Sequence, residues 1–213
     1  MTEHLKEMGY LVNIKRIRRL YRLMALRAIY PKPRTTIADK KHYKYPYLLR
    51  DLVIDHPNQV WATDITYIPM QHGFMYLVAI VDLYSRFVVG WGLSNTLDAD
   101  FCIEVLKTAI KRHGKPEIFN SDQGVQFTCK EFIDVLVKNE VKISMDGKGR
   151  AIDNVFIERL WRSVKYENVY LHAYSDGLEL YRGLNDYFDF YNNVRVHQGL
   201  GYCIPRKMYF LAA

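Results

Sequence analysis

The chain has 213 residues, enough for one well-packed domain with a small appendage and too few for two large ones. Residues 1–50 carry 13 Lys/Arg against 3 Asp/Glu, a net of +10, while residues 51–213 carry 17 against 20, a net of −3; together these give the +7 of the whole chain. A basic arm on a slightly acidic body points to a polyanionic partner, and the longest apolar run, the eight residues Phe74 to Val81, excludes a membrane-spanning helix, which needs about 20.

In chain order, residues 2–8 read as a short helix broken by Gly9. Asn13 is a good N-cap, and a second helix is predicted from Ile14 to about Arg27, with Ile14, Ile17, Tyr21 and Met24 at helical spacing and Leu20 and Leu23 widening the stripe. Lys15, Arg16, Arg18, Arg19 and Arg22 lie mostly off that stripe and are candidate phosphate contacts. Residues 1–30 therefore read as a small basic arm, the end of a helix-turn-helix unit whose first part is missing. Pro31-Lys32-Pro33 stops the helix, and residues 31–58 read as a basic linker. Within it, Lys40-Lys41-His42-Tyr43-Lys44-Tyr45 mixes cations with aromatics, which suits phosphate contact and base stacking as well as a solvated charge run. Cys102, Cys129 and Cys203 match no zinc or disulfide pattern and read as ordinary thiols.

The body, residues 59–213, opens with strands at 60–68, 74–82 and 86–93, the latter two joined by the turn Asp82 to Ser85. A helix is expected from Ala99 to Arg112, a fourth strand from Glu117 to Asn120, a helix from Lys130 to Asn139 and a fifth strand from Val141 to Ser144. Met145 to Ala151 reads as a Gly-rich loop, with helices from about Asp153 to Asn168 and Ser175 to Tyr191. Three strands followed by helix, strand, helix, strand, helix predict a mixed α/β sheet with helices packed on it.

Three acids stand out. Asp64 sits inside a strand, where Asp is disfavoured; Asp122 follows a strand end, where ligands of such sheets gather; Glu158 lies on the long helix, with Arg162 and Lys165 four and seven residues on and on the same face. Each alone has a plainer reading: a paired buried charge, an Asp-x-Gly turn, a surface pair with Arg162. Together, three carboxylates suit phosphodiester chemistry, in which two divalent metals activate the attacking oxygen and stabilise the leaving one.

The segments Trp61-Ala-Thr-Asp64-Ile-Thr-Tyr, Asn120-Ser-Asp122-Gln-Gly-Val-Gln-Phe and Asp153-Asn-Val-Phe-Ile-Glu158-Arg-Leu-Trp-Arg-Ser-Val-Lys resemble the three catalytic blocks of an insertion-sequence transposase family with a retroviral-integrase type of core. Between Asp122 and Glu158 lie 35 residues, the D,D-35-E spacing of that family, and Asp189 to Leu200 resembles its closing motif. The resemblance implies an RNase H-like five-stranded sheet, with the strands bearing Asp64 and Asp122 as neighbours. It implies Asp64, Asp122 and Glu158 as catalytic and metal-binding residues, with two Mg²⁺ or Mn²⁺ ions expected. It implies cleavage at the element's DNA ends and transfer of the 3′-hydroxyl into DNA, with Lys165, and Arg162 beside it, on the DNA. Homo-multimers on DNA, an upstream-frame helical product as partner, and a place in the bacterial cytoplasm at the nucleoid follow from the same likeness.

Gly147-Lys148-Gly149-Arg150 reads as a basic loop ahead of the catalytic helix, with Lys148 and Arg150 as candidate DNA contacts. Asp82 and Arg86 read as structural, Trp61 and Trp161 as core, and His197 as a structural hydrogen-bonding group at least as readily as a functional one. Two other readings compete. One is a truncated, non-catalytic DNA-binding remnant. The other is an RNase H-type nuclease with Glu104 as a fourth carboxylate, although Glu104 itself reads as a surface residue.

Overall fold

The computed structural model describes residues 1–25, 45–146 and 155–211. By internal packing the chain divides into two compact units, 1–40 and 41–213.

In the first unit, helix α1 spans Thr2–Glu7 and α2 spans Ile14–Leu23. Asn13 caps α2 as expected, its side chain accepting the Arg16 N–H at 2.9 Å. The helix ends four residues earlier than predicted. Met24 closes it and Ala25 turns to φ 53, a left-handed conformation that cannot continue a right-handed helix. Ile17 is buried, whereas Leu23 and Met24 of the predicted stripe are exposed.

In the second unit, strands β1 (Val60–Pro69), β2 (Phe74–Asp82), β3 (Val88–Ser94), β4 (Ile118–Ser121) and β5 (Lys142–Met145) form one sheet in the order β3-β2-β1-β4-β5. The β1–β2 and β2–β3 pairs are antiparallel and the β1–β4 and β4–β5 pairs parallel, the mixed five-stranded arrangement that the sequence implied. Helices follow the expected places: α3 (Ala99–His113), a short α4 (Val125–Thr128) that the sequence reading missed, and α5 (Lys130–Lys138).

The predicted catalytic helix is not one uniform rod. It is α6 (Val155–Val164), then a π-helical turn (Lys165–Val169), then the short α7 (Tyr170–His172). Next, α8 spans Gly177–Asn193. It starts two residues later than predicted because Asp176 is the N-cap, accepting the Glu179 N–H at 2.8 Å, while Glu179 accepts from the Ser175 N–H and hydroxyl. A final helix, α9, covers Pro205–Leu211.

Alternation along the strands sorts the core into two faces. Trp61, Val78, Ile80 and Phe119 pack with α3 and α5 on one side. Ile68, Leu77, Ala79 and Val81 pack with Ile157, Leu160 and Val164 of α6 and Leu180, Leu184 and Phe188 of α8 on the other. Part of the predicted linker belongs to this body. Leu49, Leu52 and Ile54 pack against Val60, Ala62, Leu83 and Ile118, and the Leu48 N–H donates to Ser144 Oγ at 3.0 Å. Apolar side chains at that spacing make the segment an anchor, which its Pro- and Lys-rich surroundings concealed. The remainder, 31–44, lies outside the described residues. Among the described residues no helix is long and apolar enough to cross a membrane.

Candidate active site

Asp64 lies in the middle strand β1, opposite Ala79 of β2. By strand alternation it shares a face with Ile68, the face that α6 and α8 cover. On its other side β1 runs parallel to β4, with Ala62 paired to Asn120. The pairing ends there; Asp64 and Asp122 each lie two residues further on, Asp122 just past the end of β4, so the parallel run carries both acids toward the same end of the sheet. Asp122 also makes the Asp-x-Gly turn of its plainer reading, accepting the Gly124 N–H at 2.8 Å. That bond fixes the carboxylate just beyond the strand.

The third acid comes from α6, on which Glu158, Trp161 and Lys165 follow at spacings of three and four and so share a face. Trp161 is buried, 6% exposed, and its indole Nε1–H donates to Asp64 Oδ2 at 2.9 Å. That bond ties the helix to the strand.

The electrostatics of Asp64 reflect these neighbours. Burial pushes the Asp64 carboxyl up to about 6, and the nearby charges of Asp122 and Glu158 add to the rise. The Trp161 and Ile65 N–H groups oppose it. Burial pulls the Lys165 ammonium down from its ordinary value, and attraction to Asp64 offsets part of that. Asp122, Glu158 and Lys165 therefore each lie close enough to Asp64 to interact with it electrostatically, although they come from separate elements. Among the described residues no three donors already stand close enough to form a closed metal site, so the acids are a loose set.

The remaining sequence candidates divide clearly. Arg162 is exposed, as are Lys15, Arg16, Arg18, Arg19 and Arg22 of α2. Lys148 and Arg150 lie outside the described residues. Glu104 is exposed on α3, lines a groove with Asp186 and Asp189 of α8, and is not among the charges acting on Asp64. A four-carboxylate site is not assembled around it.

Asp82 is structural, as expected. Fully buried, it accepts from the Asn58 N–H, the Ser85 N–H and the Ser85 hydroxyl at 2.6–2.8 Å. Arg86 lies 3.4 Å over the Phe156 ring and so braces the first turn of α6.

Two features of the site escaped the sequence reading. The first is the Trp161–Asp64 bond; the only sequence signal was that Trp161 stands three residues after Glu158 on the same face. The second is a cluster behind the π-helical turn. There Glu167 accepts from Arg195 Nε at 2.8 Å, Arg195 NH2 at 2.5 Å and the Tyr187 hydroxyl at 3.0 Å. His197 stacks edge-on against Tyr191, and burial with the neighbouring Arg195 charge pulls its imidazole down to about 4. It is a neutral structural group that supports Arg195 at 3.4 Å.

Two models described as integrase core domain match the chain, over residues 54–151 and 139–205. The transposase for insertion sequence element IS904 of Lactococcus lactis subsp. lactis is 31% identical over 217 residues, covering 97% of this chain and 84% of that protein. Transposase InsF for insertion sequence IS3A of Escherichia coli is 30% identical over 175 residues. Those cover 80% of this chain but 61% of InsF, so the chain spans about three-fifths of that relative's length. Among solved structures, the HTLV-2 integrase catalytic core domain in complex with magnesium matches with a TM-score of 0.60 at 21% identity, covering 72% of this chain and 97% of that one. A chain of the simian T-cell lymphotropic virus intasome matches with a TM-score of 0.64 at 17% identity, covering 81% and 60%. These two likenesses establish the fold.

Proposed function

Since the chain belongs to the insertion-sequence transposases that carry an integrase core domain, we propose that it is a polynucleotidyl transferase that cleaves DNA at the ends of a mobile element and joins the freed 3′-hydroxyl to a second DNA strand. The observation that carries this reading is the approach of Asp122 and Glu158, from the turn after β4 and from α6, to Asp64 of β1, whose carboxyl is raised chiefly by burial and further by those two charges.

The donor set fits a divalent cation. A half-buried carboxylate beside two others is unfavourable by itself, and hard oxygen donors of this kind suit Mg²⁺ or Mn²⁺. Asp64, Asp122 and Glu158 would hold the ions, two being expected. Bound there, the ions supply Lewis-acid activation of the attacking oxygen and stabilisation of the leaving one. That the HTLV-2 core was solved in complex with magnesium supports the choice of ion.

The chain's own groups hold and orient. The parallel run of β1 and β4 carries Asp64 and Asp122 toward the same end of the sheet, and Glu158 of α6 comes near enough to Asp64 to act on its charge, which supports this assignment. Lys165, near enough to Asp64 to feel its charge, offers its ammonium to a phosphate near the acids. Arg162 extends the same surface, and Lys15, Arg16, Arg18, Arg19 and Arg22 grip phosphates from the arm. The protein works on DNA as a homo-multimer, a reading supported by the dimeric and trimeric forms of the HTLV-2 core. An upstream-frame helical product is a further partner, and the bacterial nucleoid is the place of work.

A strand-transfer assay tests this, using a pre-cut DNA end with a free 3′-hydroxyl and Mn²⁺. The native chain is expected to yield joined product, with Asp64→Asn, Asp122→Asn and Glu158→Gln each at background. Product surviving all three changes, or tight DNA binding by the native chain with no chemistry, would sink the reading.

A further inference from the structure

Trp161 shows a feature that an ordinary core residue does not need. Its ring is buried in the α6–α8 core with Ile157, Leu160 and Val164, a task that Phe or Leu performs as well. Yet its one polar atom is spent on the carboxylate at the centre of the candidate site, at 2.9 Å. A buried indole N–H generally finds a partner, and here the partner is a charged group and not a backbone carbonyl. The bond does two things at once. It holds Asp64 Oδ2 in one direction and so sets how the carboxylate faces an incoming cation. It also links β1 to α6 three residues from Glu158, setting how far apart the acids of the two elements stand.

We propose that Trp161 is a positioning residue for the divalent-cation site: its indole N–H holds Asp64 Oδ2 and thereby fixes the orientation of that ligand and its separation from Glu158. This rests on the metal-dependent reading above. Outer groups that orient a metal's ligands commonly contribute 10–100-fold to its affinity. A packing role alone predicts no such effect from removing one N–H.

The decisive variant is Trp161→Phe, which keeps an aromatic body and deletes the donor. Mn²⁺ binding to the full chain, without DNA, is measured by the paramagnetic resonance of free Mn²⁺ for the native protein, W161F and D64N. W161F is expected to retain the native far-ultraviolet spectrum and to bind Mn²⁺ on the order of 10-fold more weakly. W161F binding as tightly as the native chain overturns the role of Trp161 and leaves the metal site standing. A native chain that binds no better than D64N overturns the metal site itself.

Should W161F fail to fold, the native chain decides the question. It has three tryptophans, and the Trp161 indole ¹H–¹⁵N resonance is expected to shift on Mg²⁺ titration and to stay still in D64N. An unmoved Trp161 resonance at saturating Mg²⁺ overturns the proposal.

Discussion

Asp64 occupies a position that a strand interior resists, and its energetics follow from that. Its carboxyl is 3.8 when unperturbed and about 6 in the fold, chiefly through burial. The native state thus holds the proton more tightly than the unfolded chain does. The stability this contributes is fully present below pH 3.8 and is lost as pH rises through about 6. In chelator at pH 7.5, Asp64→Asn should therefore be more stable than the native protein, by on the order of 2 kcal/mol. The gap should close below pH 4. Saturating Mn²⁺ should reverse the order, because only the native chain gains by binding it. Thermal melts at the two pH values, with and without the ion, check all three statements. At this scale the sequence revealed the anomalous acid itself, since an Asp between Thr63 and Ile65 in a strand asks for a reason. The Trp161 donor was illegible, because 97 residues separate it from Asp64 and only the packing of α6 on β1 makes them neighbours.

Among the elements, the segment Asp189 to Leu200 holds α6 and the π-helical turn after it. Arg195 grips Glu167 in the π-helical turn with two hydrogen bonds and reaches Ser163 of α6 at 3.4 Å. Two residues before Glu167 is Lys165, so the grip holds the turn that carries this cation. Arg195→Ala is expected to cost about 1 kcal/mol of stability, a figure kept small because both side chains are partly exposed. Arg195 holds the Glu167 carboxyl below its ordinary 4.5. The pair's contribution is therefore present above that value and fades as pH falls through the lowered one, and urea unfolding at neutral and acid pH should show the difference between R195A and native shrinking. On the same helix pair, Asn192 of α8 bonds both backbone groups of Val88 at 2.9 and 3.0 Å, pinning the edge strand β3. The strands and most helices were legible from period and turn residues. The π-helical turn was not, since an i to i+5 register leaves no pattern in side-chain spacing that short stretches can show.

For the whole molecule, the division of charge is the organising fact, a net of +10 on residues 1–50 and −3 on the rest. If the arm grips phosphates, replacing Arg18, Arg19 and Arg22 together by Ala should lower the slope of log binding constant against log salt by about 2–3. The helix should survive, because the Asn13 cap and the buried Ile17 are untouched. Fluorescence anisotropy on duplex DNA across a salt series measures this, and an unchanged slope would remove the arm from the interface. What the sequence by itself determined was the kind of fold, and it singled out the three acids as candidates, because hydrophobic period and the short motifs around those acids are local properties of the chain. Only the tertiary structure decided that Asp122 and Glu158 come near enough to Asp64 to act on it, that Leu49, Leu52 and Ile54 belong to the body, and that an indole bonds Asp64 and an arginine holds the turn after α6. Those facts depend on register and packing between segments far apart in sequence, where no local pattern records which surfaces will meet.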